Sequence, residues 1–335
     1  MNQRKLIKKN KIPRSRSMMI LFALIAVYLF WGGTYLGMKF AIETIPPFLM
    51  AGARFSIAGW ILYIFYRLKG EKRPTFKEWK NAGIVGGLLL LGGNGVVAWA
   101  EQQVPSSIAS VLIATVPIWI IVINSVSYHK RPKAGAIIGI ALGLCGIAIL
   151  VWDSNGVSKS TNLFGMVAIV LASLSWSAGS MYSRTAKLPK APLLSTGMQM
   201  IVGGILLLIT AVFHGDYQGF ELSKISINSW IAMGYLIVFG SLIGFTAYIW
   251  LLKNTEPSLV STHAFVNPIV AVFLGWFLAG EKIGANALVA ALIIIAAVAS
   301  ITIFREKSIP KDNPTSESNI SHDFALEERA ITIDK

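Results

Sequence analysis

Hydrophobic positions in this chain do not alternate with polar ones. They come in long uncharged blocks, separated by short polar stretches that are mostly basic. A block of about 18 or more apolar residues reads as a bilayer span, since hydrocarbon about 30 Å thick needs about 20 helical residues. Ten spans are predicted, at 18–40, 47–66, 79–100, 105–127, 135–152, 163–184, 192–213, 227–252, 258–279 and 283–304. Residues 1–17 hold seven Lys and Arg and no acid. A basic start before an apolar run resembles a secretory signal, but this run is too long for one and lacks a small-residue cleavage site. It is expected to stay as the first span. Residues 305–335 turn abruptly to Lys, Asp, Pro, Ser and Glu, a composition that reads as a disordered cytoplasmic tail.

Composition supports a membrane protein and excludes a soluble one. Hydrophobic residues make up 54% and charged residues 14%, against about 25% charge in soluble domains. The net charge of +14 would suggest a nucleic-acid binder in a soluble chain. Here the excess lies between the apolar blocks, as the positive-inside rule produces. With ten spans and an inside N-terminus, 25 of the 30 Lys and Arg fall on the cytoplasmic side. Lys39, Lys159, Lys224 and Lys282 fall outside, and Arg54 alone lies within a span. The expectation is therefore a multi-pass protein of the cytoplasmic membrane with both termini inside, its partners the lipid bilayer and a small-molecule substrate, with no nucleic acid.

The chain also matches itself. "LFWGGTYLGMKFA" from Leu29 lies over "LSWSAGSMYSRTA" from Leu174, a shift of 145 that puts Trp31 on Trp176. Without a gap, the same shift sets "PFLMAGARFSIAGWIL" from Pro47 over "PLLSTGMQMIVGGILL" from Pro192. Gly52 then meets Gly197, Gly59 meets Gly204, and Arg54 meets Gln199. Further on, Pro117 aligns with Pro268. Five spans is an odd number, so the second copy enters the membrane from the opposite side. The fold expected is an all-α membrane protein of ten transmembrane helices in two inverted five-helix repeats, 18–152 and 163–304. Inverted repeats are a transporter signature, with the substrate near the midplane between the halves.

The segments "WGGTYLGMKFA…PP…AGARF", "GGNGVVAWAEQQVPSSIASVLIATVPIW" and "AFVNPIVAVFLGWFLAGEKIGANALV" resemble the EamA-type transporters of the drug/metabolite transporter superfamily. The likeness is strongest to bacterial inner-membrane exporters of that group, and covers about Met18 to Phe304. It implies a secondary carrier of small metabolites, amino acids or drugs, usually moving them outward. One turn departs from the pattern: the second copy keeps Gly280-Glu281-Lys282, where the first reads His129-Lys130-Arg131.

Several polar and aromatic positions inside the spans are candidates for the substrate path. An Arg at the centre of a span costs about 2.5–3.5 kcal/mol on insertion scales. Arg54 therefore either lines a central cavity, facing an anionic substrate or a cluster of helix carbonyls, or ties helices together or snorkels to an interface. Glu101 could couple protons or be an interfacial loop charge. His263 could accept and release a proton or join two helices by a hydrogen bond. Trp31, Tyr35, Trp176 and Tyr248 could present ring faces to a cationic or aromatic substrate, or pack against lipid or in an interface belt. Asn94, Gln199 and Asn267 could supply hydrogen bonds.

Other chemistries are not called for. "GGNG" from Gly92 lies inside an apolar span rather than between a strand and a helix, so it is no phosphate loop. Neither an HExxH zinc motif nor a nucleophile elbow occurs. Cys145 alone allows no disulfide framework and no thiolate cluster. No cofactor and no metal is expected. Gly135, Gly139 and Gly143 make one face of the fifth span smooth, suited to contact within a monomer or across a homodimer.

Overall fold

The computed structural model describes residues 14–303 apart from 101, 105–108, 110, 111, 129–131, 133, 153–161 and 280–284. Over the described residues the fold is all helical. The long helices are α1 (Arg14–Ala41), α2 (Pro47–Leu68), α3 (Phe76–Ala100), α4 (Val116–Tyr128) and α5 (Ala134–Trp152). They continue as α6 (Leu163–Thr185), α7 (Pro192–His214), α8 (Ile227–Asn254), α9 (His263–Ala279) and α10 (Ala285–Ile303). Six of them, α1, α2, α3, α6, α7 and α8, are long and apolar enough to cross a membrane. The other four are described over 13 to 19 residues of similarly apolar sequence.

Helix ends follow capping chemistry rather than hydrophobicity. α3 starts at Phe76, ahead of the expected 79, because Thr75 accepts from the Glu78 amide while the Glu78 carboxylate accepts from the Thr75 amide. The ninth span is not continuous as expected. A short helical turn, Pro257–Val260, gives way at Ser261 and Thr262 before α9 begins. There the Ser261 and Thr262 hydroxyls donate to the carbonyls of Ser258 and Leu259, the side-chain competition that weakens a helical ladder. Pro268 lies inside α9. Its counterpart Pro117 sits in the first turn of α4, where a missing N–H is harmless.

The internal shift becomes a two-fold frame. A Cβ on Gly59 of α2 would lie 2.9 Å from the Gly197 carbonyl oxygen of α7, and a Cβ on Gly197 would lie 3.0 Å from the Gly59 oxygen. A Cβ on Gly204 would come within 3.1 Å of the Gly52 oxygen. Gly52 thus faces Gly204 while Gly59 faces Gly197, so α2 and α7 cross antiparallel. Because these helices are repeat equivalents, the copies run in opposite directions. The same logic holds for α5 and α10, where Gly139 faces Ala297 and Gly146 faces Ala290. The exchanged contacts also pair: α1 packs on α8 and α9, and its equivalent α6 packs on α3 and α4. The smooth face of α5 is used within the chain. Gly139 abuts Ile301, Gly143 abuts Phe265, and the Ser300 hydroxyl donates to the Gly135 carbonyl.

Two features had no counterpart in the sequence reading. α3 and α8 each widen to i→i+5 hydrogen bonding, over Gly87–Gly95 and Leu236–Phe245, a rare geometry frequent at functional sites. Equivalent corners also differ. Gly70 and Gly215, 145 apart, both take φ of +86° after their helices, conformations that favour glycine. The following acids diverge: Asp216 is buried and accepts from the amides of Phe48 and Leu49 at 3.0 and 3.1 Å, whereas Glu71 is exposed. Pro46 offers α2 no side-chain cap, so Asp216 supplies it from the end of α7, itself paired with His214 Nδ1 at 2.7 Å.

Candidate functional site

A cavity of about 100 Å3 lies where the two copies meet, room for several waters or one small solute at about 10–15 Å3 per water. Its floor is built by the wide turns. Trp31 of α1 donates from Nε1 to the Gly240 carbonyl at 2.9 Å, inside the widened stretch of α8. Its repeat equivalent, Trp176 of α6, lies against Gly93 in the widened stretch of α3, where a Cβ would sit 2.8 Å from its ring. Gly93, and Gly244 one turn beyond Gly240, where a Cβ would sit 2.5 Å from Trp31 Nε1, leave the room that lets each indole lie this close to the backbone. The two tryptophans meet edge to face, with ring centroids 5.6 Å apart.

Tyr248 and His263 complete this aromatic group. Tyr248 is fully buried behind the cavity, its ring 4.9 Å from Trp31 and 5.4 Å from Trp176. Its hydroxyl accepts from Trp176 Nε1 at 2.8 Å and pairs with the Ser180 hydroxyl at 2.7 Å. His263, the first residue of α9, lies 5.1 Å from the Trp31 ring and borders the cavity. Offset and edge-on pairs of this kind add about 0.5–1.5 kcal/mol each beyond area burial, which makes this group a rigid wall.

The charged element is Arg54 of α2, 3% exposed and bordering the cavity. Its Nη2 donates to Asn94 Oδ1 of α3 at 2.9 Å, and its guanidinium lies 4.2 Å from the Phe55 ring centroid. The side chain stays inside the bundle and reaches no interface. Nε and Nη1 have no hydrogen-bond partner, and neither have His263 Nδ1 and Asn267 Oδ1. Buried polar groups are bonded in the great majority of cases. Three cavity residues carry unbonded atoms, as do Ser56, Trp119, Gln199, Ser241 and Thr246 away from the cavity lining. What sets the cavity apart is that its unbonded groups include a buried guanidinium.

Of the expected path residues, the cavity thus brings together Trp31, Arg54, Asn94, Trp176, His263 and Asn267. Gln199, the repeat equivalent of Arg54, is not among its lining residues. It is fully buried in α7, its side-chain amide donates to Ser195 Oγ at 3.0 Å, and its backbone carbonyl lies against Gly86 of α3. Tyr248 backs the cavity without lining it. Glu101, and the turn residues 129–131 and 280–282, lie outside the described residues, as does the side chain of Tyr35. Sequence reasoning passed over Thr34, Phe55, Ser173 and Phe245, which also border the cavity. Phe55 adjoins the intramembrane Arg, which is the one signal that pointed to it. Among the described residues no cluster of three or more His, Cys, Asp or Glu is placed to hold a metal.

Comparison with known proteins matches residues 17–152 and again 163–303 to the model of the EamA-like transporter family. The chain is 38% identical over 293 residues to the Escherichia coli (strain K12) protein named uncharacterized inner membrane transporter YedA, covering 87% of this chain and 93% of that one. It is 27% identical over 278 residues to the Bacillus subtilis (strain 168) protein named uncharacterized transporter YoaV, covering 82% and 94%. A crystal structure of another protein shares the fold with a TM-score of 0.70 at 18% identity, over 87% of this chain and 97% of that one.

Proposed function

This chain belongs to the EamA-like transporter family, and from that premise we propose that it is a secondary exporter working by alternating access between its two copies. It is a multi-pass membrane transporter; the finer reading concerns how it works, in which direction, and with which residues. The observation that carries it is the cavity at the crossing of the copies, walled by the equivalent Trp31 and Trp176 and bordered by Arg54, Asn94, His263 and Asn267. Inverted repeats place substrate at their interface and expose it to each side in turn by rocking one copy against the other. The glycine crossing of α2 and α7 lets the two copies meet backbone to backbone at their interface, a shared contact about which one copy can rock against the other.

Both termini lie in the cytoplasm in this reading, supported by the Lys and Arg asymmetry of the polar segments. Outward movement of small metabolites, amino acids or drugs follows the family likeness. The driving force is an ion gradient, with protons the coupling ion, or the gradient of the substrate itself.

The test compares solutes in the growth medium of overexpressing and deletion strains, then measures flux of the enriched solute in reconstituted vesicles. Accumulation outside the overexpressing cells and counterflow in vesicles are expected. Equal medium profiles and absent counterflow overturn the reading. Uphill flux that survives collapse of the pH gradient overturns proton coupling alone.

A further inference from the structure

We propose that the cavity takes a small organic monoanion, a carboxylate on a flat apolar body, with Arg54 as its charge partner. The proposal deepens the transport reading by naming its substrate class, and rests on it only in taking this cavity for the substrate site.

Charge balance carries the first step. An arginine keeps its proton in proteins. Arg54 is therefore a cation, and none of the cavity's described lining residues is Asp or Glu. Asn94 is a neutral partner that accepts from Nη2 only. Nε carries one N–H and Nη1 two, so at least three of the five guanidinium donors are left over. Phe55 offers its ring face to the cation and satisfies no N–H. If Arg54 served only to tie α2 to α3, one donor would be used and most of a buried charge left uncompensated. A carboxylate brings two oxygens of opposite charge to a planar fork of donors and closes that account.

The number of charges carries the second step. The lining offers a single permanent cation, so it balances one negative charge. A phosphate monoester, with close to two charges at neutral pH, would leave one uncompensated in a low-dielectric wall. Ammonium ions face the repulsion of Arg54 with no acid to offset it. Shape carries the third step: Trp31, Trp176, Phe55, Phe245, Val97 and Val116 border a space of about 100 Å3, apolar walls suited to a small planar body.

Three isosteres test the charge directly on the purified full chain: benzoate, neutral benzamide and cationic benzylamine, with phenyl phosphate as the doubly charged arm. Binding is read from ligand-dependent shifts in thermal midpoint, and transport from counterflow in vesicles. Benzoate is expected to bind at least about tenfold more tightly than the other three, a standard affinity step. Arg54→Gln should reduce the preference over benzamide to nothing, and Arg54→Lys should keep part of it. No benzoate binding at millimolar concentration, equal binding of benzamide, preference for benzylamine or phenyl phosphate, or a preference that survives Arg54→Gln each overturns the proposal. The isostere comparison on the unaltered chain decides even where a variant fails to fold. Selective benzoate binding without any flux would sink the transport reading and leave the site standing. Flux of neutral or cationic solutes without benzoate selectivity would do the reverse.

Discussion

Gly59 of α2 and Gly197 of α7 face each other so closely that a Cβ on either would come within 3.0 Å of the other's carbonyl oxygen. Each position is the partner, by symmetry, of the neighbouring contact between Gly204 and Gly52. The backbones come this close with Leu62, Ile201 and Leu208 seated over the facing glycines, and that contact holds the two copies together.

Filling that contact should be costly. Gly59→Val and Gly197→Val are each expected to destabilise by about 1–3 kcal/mol, the usual penalty of overpacking. Thermal unfolding of the purified protein measures it. Gly234→Ala serves as the control, because a Cβ there meets nothing within 4 Å and alanine is the better helix former. Its midpoint should hold or rise slightly.

Tyr248→Phe removes one hydroxyl and strands one donor, since Ser180 keeps its bond to the Trp176 carbonyl at 2.6 Å. Trp176 Nε1 loses its acceptor, at a cost of about 1–3 kcal/mol for a buried donor left unbonded. Adding Trp176→Phe should then cost less than it does alone, because the shared bond is already gone. Additive effects in a double-mutant cycle would argue against the coupling.

The folding pattern was legible where chemistry repeats along the chain. Ten apolar blocks, the Lys and Arg asymmetry and the shift of 145 are one-dimensional facts; that α2 packs on its own equivalent α7 is not, since the shift shows which helices correspond and not which touch. The wide turns were not legible, because i→i+5 bonding needs no residue type of its own. "GLLLLGGNG" and "LIVFGSLIGF" read as ordinary apolar helix. The break at Ser261 and Thr262 was hidden inside an apolar run, since a hydroxyl that bonds its own backbone looks in sequence like any helical serine or threonine. The site was half legible. Arg54 announced itself as a charge within a span, and Trp31 with Trp176 as a matched pair. Gln199 shares the Arg54 register, but its side chain bonds Ser195 one turn back in its own helix, which symmetry of sequence does not reveal.

Asp216→Ala should loosen the entry of α2. The carboxylate caps the Phe48 and Leu49 amides from the end of another helix, and losing a cap costs about 0.5–2 kcal/mol. Amide hydrogen exchange is expected to rise in the first turn of α2 while the first turn of α7, which has no such cap, is unchanged. Unaltered exchange at Phe48 and Leu49 would refute the capping role.

Arg54→Ala should abolish flux in reconstituted vesicles without preventing insertion into the membrane. Membrane-fraction yield and size-exclusion behaviour report the second part. Unchanged flux would remove Arg54 from the substrate path.

Arg54 and Gln199 stand at the same register of the two copies, yet only the first borders the cavity and only the first is charged. The scaffold can be turned over; the chemistry cannot. In the proposed transport cycle, with Arg54 as the charge partner, a solute arriving from either face of the bilayer meets the same electropositive wall, on α2, and docks with the same end toward it. The cargo therefore keeps one pose throughout the cycle, and whatever distinguishes departure from arrival has to come from the gates at the two ends of the bundle.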